Sequence, residues 1–379
     1  MGYASTIKVP FGPQHPALKE PEHFLFEVDG DTVVNVTPRI GYVHRGLEKG
    51  FELETYNHGL YLAERVCGIC NIAHTVSYTQ VVEELMGVQI PPRARYIRTI
   101  VAELERLQSH SLWVGIVAHE AGFDTLFMYV WRDREAIMNL FEELTGGRVL
   151  HAINTLGGVR RDITPEWETK LRKGMDSFEE RTKDYLRIVN SERTFLKRTS
   201  GVGLLSPQDA VKLCAVGPTL RASGVKEDVR ADDPYIAYDE IPFNVVTSES
   251  GDALARTVVR VEEMMESIGM IRYALDHMPS GTIKVRPPKI APPGEVLSRA
   301  EAPRGELIHF GRSNGSAKPE RYKIRSPTLA NIPALCKTLI GVHVADIPII
   351  LAGIDPCFSC MDRMAIVDRR TGEKREIEK

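Results

Sequence analysis

The chain has 379 residues, 43% of them hydrophobic and 26% charged, with a net charge of -3. That length can bury a sizeable core in one large domain or two smaller ones, and the near-neutral balance argues against nucleic acid or an anionic membrane surface as a partner. No apolar run approaches the ~20 residues of a membrane helix, and Met1–Pro10 lacks the hydrophobic stretch of a signal peptide, so the expectation is a cytoplasmic chain with reduced thiols.

Residues 6–12 and 23–37 alternate apolar and polar positions around the turn signal Asp29-Gly30-Asp31, which predicts a small β-sheet. Between them Gly12-Pro13-Gln14-His15-Pro16 is too proline-rich for helix or central strand. Glu20 follows on a loop, with Lys19 and Glu22 expected to be solvated. Residues 51–66, 71–86, 93–118, 123–145, 165–190 and 252–277 carry apolar residues at helical spacing. Thr164-Pro165-Glu166 is a helix start, with Thr as N-cap and Pro in the first turn. Ile100–Val117 is apolar around much of its circumference and should be central. Pro287, Pro288, Pro292, Pro293 and Gly294 then break helix. Glu306–Phe310 and Arg321–Ile324 predict a hairpin around Asn314-Gly315. Residues 328–341 return to helix, the apolar run Ile347–Ile354 follows, and a charged tail begins after Arg363. The fold class expected is α+β, predominantly α-helical. A β element (1–40), a helical core (41–278), a β and loop element (279–326) and a C-terminal segment (327–363) make one domain, and 364–379 is the tail.

Four of the six cysteines stand in two Cys-x-x-Cys pairs, Cys67/Cys70 and Cys357/Cys360. Such a pair puts two thiols on one tight turn, and two pairs supply a complete soft-ligand set. Zinc-binding pairs usually lie ~15–20 residues apart; here 287 positions separate Cys70 from Cys357, so only the fold can unite them. The first pair leads into a helix and the second follows an apolar run, which points to a deep site. On this chemistry alone a structural zinc, an iron–sulfur cluster and a catalytic soft-metal centre stay open. His74, one helical turn beyond Cys70, is either an ordinary core residue or a hydrogen-bond partner of a thiolate. Arg304, Glu20 and Glu48 read by themselves as ordinary charges. Cys214 and Cys336 are expected to be core filler. Gly157-Gly158-Val159-Arg160-Arg161 lacks the strand context of a phosphate loop.

Arg65-x-Cys67-Gly68-x-Cys70-x-x-x-His74 and Asp355-Pro356-Cys357-x-x-Cys360-x-x-Arg363 resemble the two signatures of nickel–iron hydrogenase large subunits. His44-Arg45-Gly46-Leu47-Glu48, Gly157–Asp162 and Glu301-Ala302-Pro303-Arg304-Gly305 extend the resemblance. Gly12–Pro16, Leu204–Pro207 and Arg221–Lys226 are similar also to the 49-kDa-type subunit of respiratory complex I. The similarity runs from about residue 9 to 367 and points to the membrane-bound, energy-converting, Ech-type group. Complex I subunits have lost the cysteines and bind quinone nearby, so the four cysteines favour a hydrogenase. A non-catalytic coupling or quinone-reacting subunit is the alternative.

What the resemblance implies can be stated residue by residue. Cys67 and Cys357 would be terminal nickel ligands. Cys70 and Cys360 would bridge nickel to an iron that carries two cyanides and a carbon monoxide. Arg304, beside Pro303, would stand over the metals with the acid Asp355 next to it. His74 would hydrogen-bond a bridging sulfur, and Glu20 would be a proton gate. Glu48 would hold a structural magnesium or other divalent ion. The tail Met364–Lys379 would be cut off after Arg363. Dihydrogen and protons would be the reactants. The implied partners are a small [4Fe–4S] subunit, a ferredoxin-like iron–sulfur subunit, ferredoxin and antiporter-like membrane subunits, with the chain peripheral on the cytoplasmic side of the cell membrane. Two departures stand out: Arg363 replaces the histidine of many members, and Ser109 lies near the position of a second acid.

Overall fold

The computed structural model describes residues 6–364, 366–367, 370 and 374–375. Strands β1 (Ile7–Phe11), β2 (His23–Asp29) and β3 (Thr32–Arg39) pair antiparallel in that order. Phe24, Phe26 and Val28 share the buried face that the period of two requires. The single helix expected over 51–66 is instead two, α1 (Leu47–Leu53) and α2 (Tyr56–Glu64). Thr55 divides them: its hydroxyl accepts the His58 N–H and caps α2, so a fresh start competes with continuation.

Helices α3 (Asn71–Leu85), α4 (Pro92–Glu120) and α5 (Asp124–Thr145) follow the periodic stretches closely. A short hairpin, β4 (Asn154–Thr155) and β5 (Gly158–Val159), precedes α6 (Pro165–Ser191). Thr164 caps α6 by accepting the Trp167 N–H, as its sequence predicts. The short helices α7 (Arg193–Thr199), α8 (Pro207–Lys212), α9 (Pro218–Arg221) and α10 (Val229–Asp232) lead to α11 (Ala253–His277). Helix α4 is the axis. It packs on α5 and α11 and is buried on nearly every side, polar residues included.

Strands β6 (Gly294–Ala302), β7 (Gly305–Ser313) and β8 (Arg321–Arg325) form a second antiparallel sheet. The expected hairpin is β7–β8. Strand β6 goes beyond it: its inward positions are Ser298, Ala300 and Ala302 while Leu297 faces out, so no apolar alternation marks it. Helix α12 (Pro327–Thr338) precedes α13 (Ile347–Ile354), a helix packed on α4 and α11. Beyond it β9 (Ile366–Val367) pairs with β10 (Lys374–Arg375). The rest of the expected tail lies outside the described residues.

Apolar side chains gather in two main clusters. One joins the N-terminal sheet to the long helices, and the other joins α1–α3 to β6–β8 and contains the four paired cysteines. Cys214 is not core filler but exposed, because it lies on the surface turn that closes α8, where it takes a left-handed conformation (φ 53°) and donates its N–H to the Val211 carbonyl; Cys336 is partly buried. The architecture is mixed, mainly helical, with two three-stranded sheets. Among the described residues no helix is long and apolar enough to cross a membrane.

Candidate metal centre

The two Cys-x-x-Cys turns meet. Cys67 follows α2 and Cys70 is the N-cap of α3. Cys357 precedes and Cys360 ends the 3₁₀ turn Phe358–Cys360 that follows α13, after Asp355 reverses the chain in a left-handed conformation (φ 58°). The sulfurs of Cys67 and Cys357 are 3.4 Å apart, those of Cys70 and Cys360 3.6 Å, and those of Cys357 and Cys360 3.2 Å. All four residues are 2% exposed. Sulfurs arranged tetrahedrally at ~2.3 Å from one ion stand about 3.8 Å apart, so the cluster has the dimensions of a thiolate metal site. Four soft donors in a buried pocket suit a thiophilic metal, not a hard cation.

Residues with no assigned role in the sequence hold the turns together. The Arg45 guanidinium donates to the carbonyls of Arg65 (2.8 Å), Val66 (2.7 Å) and Ser359 (2.8 Å), stapling one cysteine turn to the other. The Thr328 hydroxyl accepts the Cys357 N–H at 3.0 Å. Glu105 of α4 accepts the N–H groups of Ile72 (2.6 Å) and Ala73 (2.9 Å), capping α3 in place of the cysteine that begins it. Membership of a quoted motif was the available signal for Arg45. Thr328 and Glu105 carry none.

Charges surround the sulfurs. Arg304 is the second residue of the two-residue turn between β6 and β7, and Pro303, also buried, is the first. Its Nε–H donates to the Asp355 carbonyl at 2.9 Å, one terminal nitrogen to Asp355 Oδ1 at 2.8 Å, and the other to Ser109 Oγ at 3.4 Å. Burial works against the guanidinium charge, but Asp355 and the sulfurs outweigh it and push its pKa up. Burial lifts Asp355 to about 6 despite Arg304 and Arg260. His74 is fully buried, pushed down to about 4 by loss of solvent. A ring nitrogen of His74 and the sulfurs of Cys70 and Cys360 lie within 4.8 Å of one another. A hydrogen bond from Cys360 draws the Cys70 thiol down to about 7.

Glu20 reaches the same cluster. Its carboxylate accepts the Ser359 N–H at 2.8 Å and the Ser359 hydroxyl at 2.5 Å, and Oε1 is 3.8 Å from Cys357 Sγ. Burial, and next the Cys357 thiolate, raise its pKa to about 7. Lys19 is exposed and pairs with Glu120, as a solvated loop residue would. Glu22, by contrast, is buried, because the loop folds back on itself: the Glu22 N–H donates to the Pro13 carbonyl.

Glu48 does not fit a divalent ion. Its Oε1 accepts the Arg363 guanidinium at 2.6 Å and the Ile324 N–H at 2.8 Å, so a cation already neutralises it. Among the described residues the only groupings of three or more possible ligands are made by Cys67, Cys70, Cys357, Cys360 and His74.

A cavity of about 440 Å³ opens onto this centre. Its inner end is Glu20, Arg304, Asp355 and Cys357, and its walls include Trp113, Ile116, Phe127, Trp131 and Leu351. Exposed Lys19 and His119 stand at its rim.

Comparison with known proteins agrees with this geometry. Residues 120–295 and 289–363 match the family described as respiratory-chain NADH dehydrogenase, 49 Kd subunit, and residues 45–115 match nickel-dependent hydrogenase. The whole chain is 40% identical to formate hydrogenlyase subunit 5 of Escherichia coli, of which it spans 66%. It is 40% identical to membrane-bound hydrogenase subunit alpha of Pyrococcus furiosus, over 95% of this chain and 88% of that one. The fold matches a chain of the archaeal membrane-bound sulfane sulfur reductase with a TM-score of 0.90 and 35% identity, over 94% of this chain and 98% of that one. The chain therefore belongs to the nickel–iron hydrogenase large-subunit family, in its membrane-bound group related to the 49-kDa subunit of complex I.

Proposed function

We propose that the chain is the catalytic subunit of an energy-converting nickel–iron hydrogenase, interconverting dihydrogen with two protons and two electrons. The observation that carries the reading is the convergence of four buried sulfurs from opposite ends of the chain. Cys67 and Cys357 would hold nickel, and Cys70 and Cys360 would hold nickel together with an iron that carries two cyanides and a carbon monoxide. When bound, this centre would supply the Lewis-acid and redox chemistry that an apolar molecule such as dihydrogen needs.

The chain's own residues handle charge and protons. Glu20 Oε1, 3.8 Å from Cys357 Sγ, can exchange a proton with that sulfur. A pKa of about 7 lets the carboxyl both take and release it near neutral pH. Arg304 stays protonated and, locked by Asp355, presents a fixed positive charge to the sulfurs. Electrons require another chain, because Cys214 and Cys336 are too few for a four-thiolate cluster. The partners proposed are a small [4Fe–4S] subunit, a ferredoxin-like subunit, ferredoxin and antiporter-like membrane subunits. The chain would sit peripherally on the cytoplasmic side of the membrane.

The decisive experiment is metal analysis with infrared spectroscopy on the chain co-produced with hydrogenase maturation factors. Stoichiometric nickel and bands of iron-bound cyanide and carbon monoxide are expected. A folded, nickel-free chain without those bands would sink the reading. A second reading is favoured by the cavity, whose 440 Å³ is in the range of small-molecule sites and far exceeds dihydrogen. A quinone-reacting or coupling subunit would bind a quinone analogue there and carry no nickel.

A further inference from the structure

We propose that His309 and Tyr322 are positioning residues that fix the tautomer of His74, so that its Nε2 carries a hydrogen aimed at the sulfurs of Cys70 and Cys360. The inference rests on the proposed metal ligation for its consequence, whereas the hydrogen-bond chain stands without it. His74 on α3, His309 on β7 and Tyr322 on β8 are all 0% exposed. His74 Nδ1 is 3.1 Å from His309 Nε2, and His309 Nδ1 is 2.7 Å from the Tyr322 hydroxyl. Among the described residues His74 Nε2 has no hydrogen-bond partner, and a nitrogen of this ring shares a 4.8 Å grouping with both sulfurs.

Hydrogen counting orients the chain. Facing nitrogens at 3.1 Å need one hydrogen between them, and neutral imidazole carries a single one. Both rings are buried and, among the described residues, neither meets a carboxylate, so both are neutral. Tyr322 has one hydroxyl hydrogen, and among the described residues His309 is its only partner. Around it stand the rings of Phe51, stacked at 4.5 Å, and Tyr78, at 5.5 Å. If His309 donated to Tyr322, the hydroxyl hydrogen would have no acceptor among the described residues. His74 would then present a bare lone pair to the sulfurs. With the opposite polarity every group is satisfied. Tyr322 O–H donates to His309 Nδ1, His309 Nε2–H donates to His74 Nδ1, and His74 Nε2–H is left for sulfur. A hydrogen bond to a metal-bound thiolate withdraws charge from it and tunes the metal. A phenol on β8 would thus set the donor strength of the bridging cysteines, two hydrogen bonds away from His74.

The test uses the full-length chain labelled with ¹⁵N-histidine. Long-range ¹⁵N–¹H correlation distinguishes the two tautomers, with His74→Gln and His309→Gln supplying the assignments. Both rings should be Nε2–H in the native chain. Tyr322→Phe keeps the stacked ring and removes only the hydroxyl, so an Nδ1–H population should appear at His309 and His74. An Nδ1–H His74 in the native chain, or unchanged tautomers in Tyr322→Phe, would overturn the proposal. In the nickel-loaded protein Tyr322→Phe should shift the iron cyanide and carbonyl bands at unchanged nickel content; unmoved bands would overturn the effect on the cysteines. His309→Gln, whose amide can accept from Tyr322 and donate to His74, should keep bands nearer native than His309→Leu, and equal shifts would count against the relay. If the native chain takes up no nickel, the hydrogenase reading fails, but the tautomers still decide the relay.

Discussion

Glu20 owes its properties to two neighbours and to burial. Ser359 holds both carboxylate oxygens, Cys357 sits 3.8 Å away, and packing removes most of the water. The loop that carries it is pinned at Gly12, where φ is 93° and an added Cβ would lie 1.9 Å from the Glu22 carbonyl oxygen. A carboxyl held this way moves protons only if it can ionise. Glu20→Gln keeps size and the contact to Ser359 but cannot exchange a proton. Hydrogen turnover should fall by roughly 10²-fold or more with nickel content unchanged. Paired turnover and nickel assays check this, and near-native turnover in a fully loaded variant would mean that protons take another route.

Among the elements, the β6–β7 hairpin matters most because its tip carries Arg304. Gly305, with φ 124°, lies against the start of α9: a Cβ there would be 2.7 Å from Gly217 N and 2.8 Å from Val216 C. Backbone on both sides leaves nothing that can rotate away. Gly305→Ala should cost about 1–3 kcal/mol of stability and lower turnover by moving Arg304 off Asp355. Gly269→Ala, on an open face of α11 with nothing within 4 Å, is the control and should gain about 0.5–1 kcal/mol. Urea midpoints of the two variants test the contrast. The segment after the second cysteine pair yields another expectation. Arg363 is gripped by Glu48 and by the Ile324 carbonyl at 3.1 Å, which anchors the chain just before the proposed cut. Intact mass of the nickel-loaded chain should end at Arg363, and an active chain ending at Lys379 would rule the cut out.

Across the whole molecule, buried ion pairs tie the helices to the sheet beside the cysteine cluster. Arg221 on α9 meets Glu263 of α11 at 2.8 Å, Glu301 of β6 at 2.8 Å and Asp228 at 3.3 Å. Arg230 continues the network to Glu103 of α4, which its charged neighbours pull down to about 2 despite burial. These elements carry Ser109 and Arg304, so the network sets the frame in which the site is built. Arg221→Met removes the cation that three buried carboxylates share, leaving Asp228 with Arg230 at 2.7 Å, Glu263 with His110 at 2.9 Å and Glu301 with the Val229 N–H at 3.3 Å. The expected loss is about 3–5 kcal/mol, seen as a lower urea midpoint; a loss below about 1 kcal/mol would show that the carboxylates find other partners or protonate cheaply.

The long helices and the N-terminal strands were legible because periodicity is a local property. Apolar spacing in α4 or alternation in β2 records which face is buried, whatever covers it. The two cysteine pairs were legible for a similar reason: their ligand chemistry lies within four residues. Signals failed where small or polar residues occupy buried positions. Ser298 and Ala300 hid β6, and Thr55 gave no warning that it would split a helix. What sequence order could not supply was any contact between residues far apart in the chain. Arg45 staples two turns 294 positions apart at its farthest carbonyls, Arg65 and Ser359. Ser359 tunes Glu20 across 339 positions, and His309 reaches His74 across 235. Glu48, expected to hold an ion, found Arg363 across 315. Sequence by itself determined the donor set and the helical frame, since both follow from near neighbours. Only the tertiary structure decided which charge faces which sulfur, because solvent exclusion and packing select those partners.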